Sequence, residues 1–204
     1  LALTTFDAYA RAQNPSFEPS LIVAECEHDA LFEDGKRRAM LRAPLLRSGL
    51  IDLDALAALL REAPRPVLVA VQVANNETGV IQPVAKVAAL CREHGALLLV
   101  DAAQAFGRVP VSISDLDATY LVVSSHKLGG PPGAGALVLA PGAPFVTTRF
   151  GGGQERGRRP GTENGAAIVG FAVAVEWALQ EMGREARRLT AMRDRFEAGL
   201  PTDA

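Results

Sequence analysis

Short unbroken apolar runs alternate along the chain with segments in which apolar residues recur at helical spacing. Leu21-Ile22-Val23-Ala24 is the first such run, and Val67 to Val73, Leu97 to Val100, Tyr120 to Val123 and Ala136 to Leu139 follow it. Each reads as a strand buried on both faces, because a strand with one wet face would alternate apolar and polar side chains. Between them, Leu53, Leu56, Ala57 and Leu60 mark one face of a helix, with Asp52 placed to cap its start. Val84, Val87, Ala88 and Cys91 mark a second helix face, and Pro83 suits its first turn. This alternation predicts an α/β fold, a mainly parallel sheet with helices on both faces. From about Gly165 to Ala198 the pattern is helical, with Gly183 a possible break and Gly199 and Pro201 a stop signal. Within that stretch the longest apolar run, Ala166 to Val175, is interrupted by Gly170, falls short of a membrane span and predicts a buried helix.

Polar residues collect where the predicted strands end. His28 follows Leu21–Ala24, Asn75 and Asn76 follow Val67–Val73, and Asp101 and Gln104 follow Leu97–Val100. Ser124, His126 and Lys127 follow Tyr120–Val123. In an open α/β sheet, ligands sit at the carboxyl ends of the strands, so this convergence is the strongest functional signal the pattern gives.

Composition narrows the picture. The 204 residues weigh 21.5 kDa, are 49% hydrophobic and carry a formal charge of −2, which fits one ordinary globular domain. The densest basic run, Arg156 to Arg159, is too short to suggest nucleic acid. Two cysteines, Cys26 and Cys91, are too few for a disulfide framework and fit reduced thiols in the cytosol. Cys26 and His28 have no second pair at ligand spacing, so no metal site is expected.

Each candidate has an ordinary structural reading beside the functional one. Asp101, directly after four apolar residues, would suffer costly desolvation that a cationic partner such as a protonated pyridine nitrogen would offset. Taken alone, it is better read as a cap for the next segment. Lys127 sits between Ser124-Ser125-His126 and the glycine-rich Gly129-Gly130-Pro131-Pro132-Gly133. Its amine could attack an aldehyde while Ser124 and His126 hold a phosphate beside it, or it is a lysine at a surface turn. Asn75-Asn76-Glu77-Thr78-Gly79 has turn composition, yet one of its amides could serve a cofactor oxygen or a substrate carboxylate. His28 could lie on an aromatic ring and shuttle protons, or simply begin a helix. His94, before Gly95, suits a helix end. The glycine-rich loop from Gly151 to Asn164 is either a linker or a phosphate-contacting segment through its arginines and Thr162.

Together these segments resemble the cysteine desulfurases of the NifS/IscS type, within the class V aminotransferase family. The resemblance rests on Asn75 to Pro83, Val100-Asp101-Ala102-Ala103-Gln104, Ser124 to Pro131, Gly151 to Gly157, Gly161 to Asn164, and Glu27-His28. Several such motifs in one order are far more specific than any one of them. The resemblance implies the large domain of a fold-type I pyridoxal-phosphate enzyme over residues 1–164, with 165–204 a long helix leading toward a small domain. It further implies that Lys127 holds pyridoxal 5′-phosphate as a Schiff base and that Asp101 pairs with the pyridine nitrogen. Gln104 would bond the phenolic oxygen, and His28 would stack on the ring and move protons. Ser124 and His126 would hold the phosphate, Asn76 would orient cofactor or substrate, and Thr162 would reach the phosphate of a partner subunit, hence a homodimer. The implied reaction takes sulfur from L-cysteine onto an enzyme cysteine, leaving L-alanine, for delivery to a sulfur acceptor or iron–sulfur scaffold protein in the cytoplasm.

The family's Gly-Thr phosphate turn, its sulfur-accepting cysteine and its substrate-carboxylate arginine have no counterparts in these residues, so a fragment inactive by itself is expected. Ser125 stands where the family often has glycine, and Pro132 where it often has a basic residue. Two other readings stay open here: a class V transaminase or lyase for another amino acid, and a non-catalytic fragment used for binding or dimerisation. A nicotinamide-binding fold is disfavoured, since no Gly-x-Gly-x-x-Gly follows the first strand.

Overall fold

The computed structural model describes residues 1–13, 16, 19–35 and 40–200. Its centre is a strand pair that contains no charged side chain. β1 (Ser20–Ala24) runs parallel to β3 (Val67–Gln72), and every residue of both is buried. Alternate residues therefore point into two separate cores. Ile22, Val67, Val69 and Val71 face one side, where Leu56 and Leu60 of α3 (Leu53–Glu62) and Val84, Val87 and Cys91 of α4 (Val84–Glu93) cover them. Leu21, Val23, Leu68 and Ala70 face the other, where Leu3 and Phe6 of α1 (Ala2–Gln13) pack. Each fully buried Leu, Val or Phe contributes roughly 1.5–3 kcal/mol of transfer free energy, so this double burial dominates the stability of the sheet.

The six strands lie in the order β2-β1-β3-β4-β5-β6. β2 (Met40–Ala43), β4 (Leu97–Asp101) and β5 (Tyr120–Ser124) continue the parallel arrangement, and β6 (Gly135–Leu139) closes one edge antiparallel to β5. The α/β reading, mainly parallel with helices on both faces, describes this architecture. Two elements go beyond the sequence reading. β2 is a four-residue edge strand whose middle positions, Leu41 and Arg42, are exposed, so it lacks the apolar run that marks the buried strands. α1 buries Leu3, Phe6 and Ala10 on one face, a period that is present in the sequence but short.

The caps behave as anticipated. The Asp52 carboxylate accepts from the N–H groups of Asp54 and Ala55 at 3.0 Å and 3.0 Å. Pro83 precedes α4, and His94 ends it before Gly95, whose φ of +61° is the left-handed turn that favours glycine.

The long helix α5 (Gly165–Ala198) requires three corrections. It runs through Gly183 without a break, since a glycine costs only about 1 kcal/mol relative to alanine and the flanking turns carry Glu181–Arg184 and Glu185–Arg188 ion pairs. Its apolar run is not buried. Val169, Val173 and Trp177, one turn apart, are 65%, 61% and 57% exposed, because only the opposite face meets the described residues. Third, apolar side chains continue past Val175, so one window of 18 residues reaches a mean hydropathy of 1.2, and by length and composition alone the helix could cross a membrane. Its inner face, however, is occupied by protein. Gly199 caps its end as anticipated, while Pro201 lies outside the described residues.

Replacing Asp52 by alanine is expected to lower the free energy of unfolding by about 1 kcal/mol, and by asparagine much less, as measured by urea denaturation.

Candidate active site

Because the central strands are buried on both faces, polar side chains emerge only where the strands stop. There they line one cavity of about 460 Å³, formed by His28, Gln72, Ala74, Asn76, Asp101, Ala103, Gln104, Ser124, His126 and Lys127. Of the residues given a role by the family resemblance, all but Thr162 are on that lining, whereas Asn75 is not. Thr162 instead borders a second cavity of about 810 Å³ together with Arg158, Arg159 and Asn164.

Lys127 lies in a 3₁₀ turn, Ser125–Leu128, that begins as β5 ends. Gly129 terminates the turn at φ +83°. Two features hold it in place. The Arg108 guanidinium donates to the carbonyl of Lys127 at 2.6 Å and to that of Gln104 at 2.9 Å, tying the β4 and β5 exits together. From above, α5 presents Gly170, Ala174 and Ala178, each one helical turn from the next. A Cβ on Gly170 would meet Pro131 at 2.8 Å, and one on Gly130 would meet Ala174 at 3.1 Å and the Ser125 hydroxyl at 2.4 Å. A Cβ on Gly107 would likewise meet Leu128 at 2.4 Å and Ala178 at 3.0 Å. Small residues on both sides thus let the helix rest directly on the lysine turn. The Ser125 hydroxyl is buried there with no hydrogen-bond partner among the described residues.

Asp101 is the last residue of β4, paired in register with Gln72 and Val122. Its Oδ1 accepts from the Ala103 N–H at 2.8 Å, so it does turn the chain after the strand. It lines the cavity as well, so the local contact and the exposure to the cavity belong to one side chain. His28 shows the same duality. Its Nδ1 accepts from the Ala30 N–H at 3.1 Å at the start of α2 (Asp29–Gly35), which puts the ring N–H on Nε2. Ser124 Oγ and His126 Nδ1 are 2.9 Å apart.

The two adjacent asparagines divide their work. Asn75 Oδ1 accepts from the Glu77 N–H at 2.9 Å, the Thr78 N–H at 2.8 Å and the Thr78 hydroxyl at 3.1 Å. Its Nδ2 donates to the Cys26 carbonyl at 3.1 Å. Asn75 therefore builds the turn, closed by Gly79 at φ +72°, and Asn76 is the amide presented to the cavity.

Three contributors were missed by sequence reasoning. Gln72 is buried, and its side-chain amide donates to the Cys26 carbonyl. Its signal was available, since it is the one polar residue in Val67–Val73. Arg108 gave no signal, because its partners are backbone carbonyls of distant segments. Glu27 is a buried carboxyl whose Oε1 accepts from the Gln72 N–H at 2.5 Å. Burial pushes it up to about 8, with the Gln72 N–H opposing and the nearby Asp101 carboxylate adding to the rise.

The donors suit pyridoxal phosphate. An amine, a carboxylate, an imidazole and an amide share one cavity with a hydroxyl–imidazole pair. These match an aldehyde, a pyridinium, an aromatic face, a phenolic oxygen and a phosphate respectively. Neither cysteine suits a nucleophile: burial pushes Cys91 up to about 12 and raises half-buried Cys26 as well.

Comparison with known proteins gives a consistent picture. Residues 8–200 match the aminotransferase class-V family. The chain is 41% identical over 187 residues to the cysteine desulfurase IscS of Histophilus somni, covering 88% of this chain and 46% of that one. It is 42% identical over 159 residues to the cysteine desulfurase NifS of Azotobacter vinelandii, covering 78% and 39%. Among solved structures, DndA from Streptomyces lividans superposes with a TM-score of 0.85 at 33% identity, covering 98% of this chain and 58% of that one. The chain thus spans less than half the length of these two curated relatives.

Asn75→Ala is expected to cost about 1–3 kcal/mol of stability, because it strands several buried or turn-forming groups. Asn76→Ala should stay within about 0.5 kcal/mol of the parent while weakening pyridoxal phosphate binding. Chemical denaturation and cofactor titration of both variants check this division, and equal losses of stability would refute it.

Proposed function

The chain belongs to the class V aminotransferase family, and on that premise we propose that it is the cofactor-holding part of a pyridoxal-phosphate-dependent cysteine desulfurase. The observation that carries this reading is the meeting of Lys127, Asp101, Gln104 and His28 on one cavity at the carboxyl ends of parallel strands. The cysteine desulfurase names of the relatives favour L-cysteine as substrate; a sulfur acceptor such as an iron–sulfur scaffold protein is the partner this reaction calls for.

When bound, pyridoxal phosphate supplies an electron sink that weakens bonds at the substrate's carbons. The residues of this chain supply the rest. The Lys127 amine would hold the cofactor through its aldehyde and could carry protons beside it. The Asp101 carboxylate, tethered through Oδ1, would favour a proton on the pyridine nitrogen. The Gln104 amide donates toward the phenolic oxygen. His28, with Nδ1 engaged by Ala30, would face the ring with Nε2 available for proton exchange. Ser124 and His126 donate toward the phosphate, and Asn76 orients cofactor or substrate. The sulfur-accepting thiol is assigned to a part of the protein beyond these residues, since burial disfavours the thiolate of both Cys91 and half-buried Cys26.

A homodimer is part of the proposal. The exposed row Val169, Val173 and Trp177 supports it, as does the placement of Thr162 away from the Lys127 cavity. Thr162 is assigned to the phosphate of the partner subunit's cofactor.

In the whole protein, Lys127→Ala is expected to abolish the visible absorption of bound cofactor. Sulfide release from cysteine in the presence of a reductant should fall by about 10²–10⁴-fold or more. An unchanged absorption spectrum would remove Lys127 from its assigned role. A normal cofactor spectrum without any sulfide release from the parent protein would point to another class V reaction.

A further inference from the structure

Glu27 precedes His28 and is not itself on the cavity lining, yet three hydrogen bonds from the end of β3 converge on its segment. The Gln72 N–H donates to its Oε1 at 2.5 Å, and the side-chain amides of Gln72 and Asn75 both donate to the carbonyl of Cys26. This is the point where β1 has left the sheet. The β1–β3 register ends at Val23 opposite Ala70, and the carboxyl of Glu27 stands in for the next backbone acceptor that Gln72 would have had. Gln72 pairs in turn with Asp101 on its other side. One carboxyl therefore connects the His28 segment to the strand pair that delivers Asp101.

Its second oxygen, Oε2, is fully buried with no hydrogen-bond partner among the described residues. An anion in that position would be desolvated, half unpaired and close to the Asp101 carboxylate. A neutral carboxyl also leaves its hydroxyl in need of an acceptor, but at far lower cost than a buried charge. Among the described residues, the charged group that raises it is Asp101 on β4; Cys26 and His28 flank it on its own loop, and β3 contributes no titratable group. Asp101 opposes a second negative charge there.

We infer that Glu27 is a positioning residue of the cofactor site: a carboxyl held neutral, whose bond to the Gln72 N–H fixes His28 relative to Asp101. The inference rests on the cofactor reading above. The sign of its pH dependence is fixed. Since its folded value is raised to about 8, the stability it contributes is complete below the ordinary carboxylate range and is lost as pH rises through about 8.

The test compares the whole protein with its Glu27→Gln and Glu27→Ala variants in two measurements. The first is the thermal midpoint of the cofactor-free protein from about pH 5 to about pH 9. The parent midpoint should fall across this range relative to Glu27→Gln, which cannot ionise. The second is the dissociation constant for pyridoxal phosphate. Glu27→Gln should bind within about threefold of the parent, and Glu27→Ala, which leaves the Gln72 N–H unpaired, about tenfold more weakly. Parallel midpoint curves for parent and Glu27→Gln would overturn the neutral state, even if Glu27→Ala fails to fold. Glutamine binding as poorly as alanine, or alanine binding as well as the parent, would overturn the positioning role. A parent that binds no pyridoxal phosphate would overturn the functional reading itself and the positioning role with it, whereas the other failures leave that reading standing.

Discussion

A strand buried on both faces has no place for a charged side chain until it ends. β1 and β3 meet that condition fully, with two cores packed against their opposite sides. Desolvation therefore drives polar residues toward the strand exits, and the parallel arrangement puts those exits at one edge of the sheet. Asp101, His28, Asn76, Ser124 and Lys127 are neighbours for this reason, although they come from four separate loops.

The exits alone would leave the lysine turn loose. Two contacts fix it. Arg108 joins the carbonyls of Lys127 and Gln104, and the Gly170, Ala174 and Ala178 face of α5 settles onto residues 125–131. Close approach substitutes for volume, so a methyl group at Gly130 or Gly170 would collide with the turn. The remaining faces of α5 stay uncovered by the described residues. The same helix is thus both a support for the site and the bearer of an exposed apolar row, Val169, Val173 and Trp177.

Several side chains make a local structural contact and also line the cavity. Asp101 turns the chain with one oxygen and lines the cavity. His28 begins a helix through Nδ1 and lines the same cavity. Asn75 and Asn76, identical in chemistry, separate only in three dimensions, one inward to the turn and one outward to the cavity.

The sequence by itself determined the strands, the α3 and α4 helices with their caps, and the candidate residues at the strand exits. These follow from local rules: apolar runs, helical period and capping chemistry act between near neighbours. It also carried the family motifs, because their order and spacing are linear properties. The edge strand β2 escaped, since a half-exposed strand has no unbroken apolar run. Burial along α5 was misjudged, because an apolar helix shows that it has something to cover and not what covers it. The contacts made by Glu27 and Arg108 became visible only in the tertiary structure. Their partners, the Gln72 N–H and the carbonyls of Gln104 and Lys127, are backbone groups, which every residue possesses and which no side-chain pattern can single out.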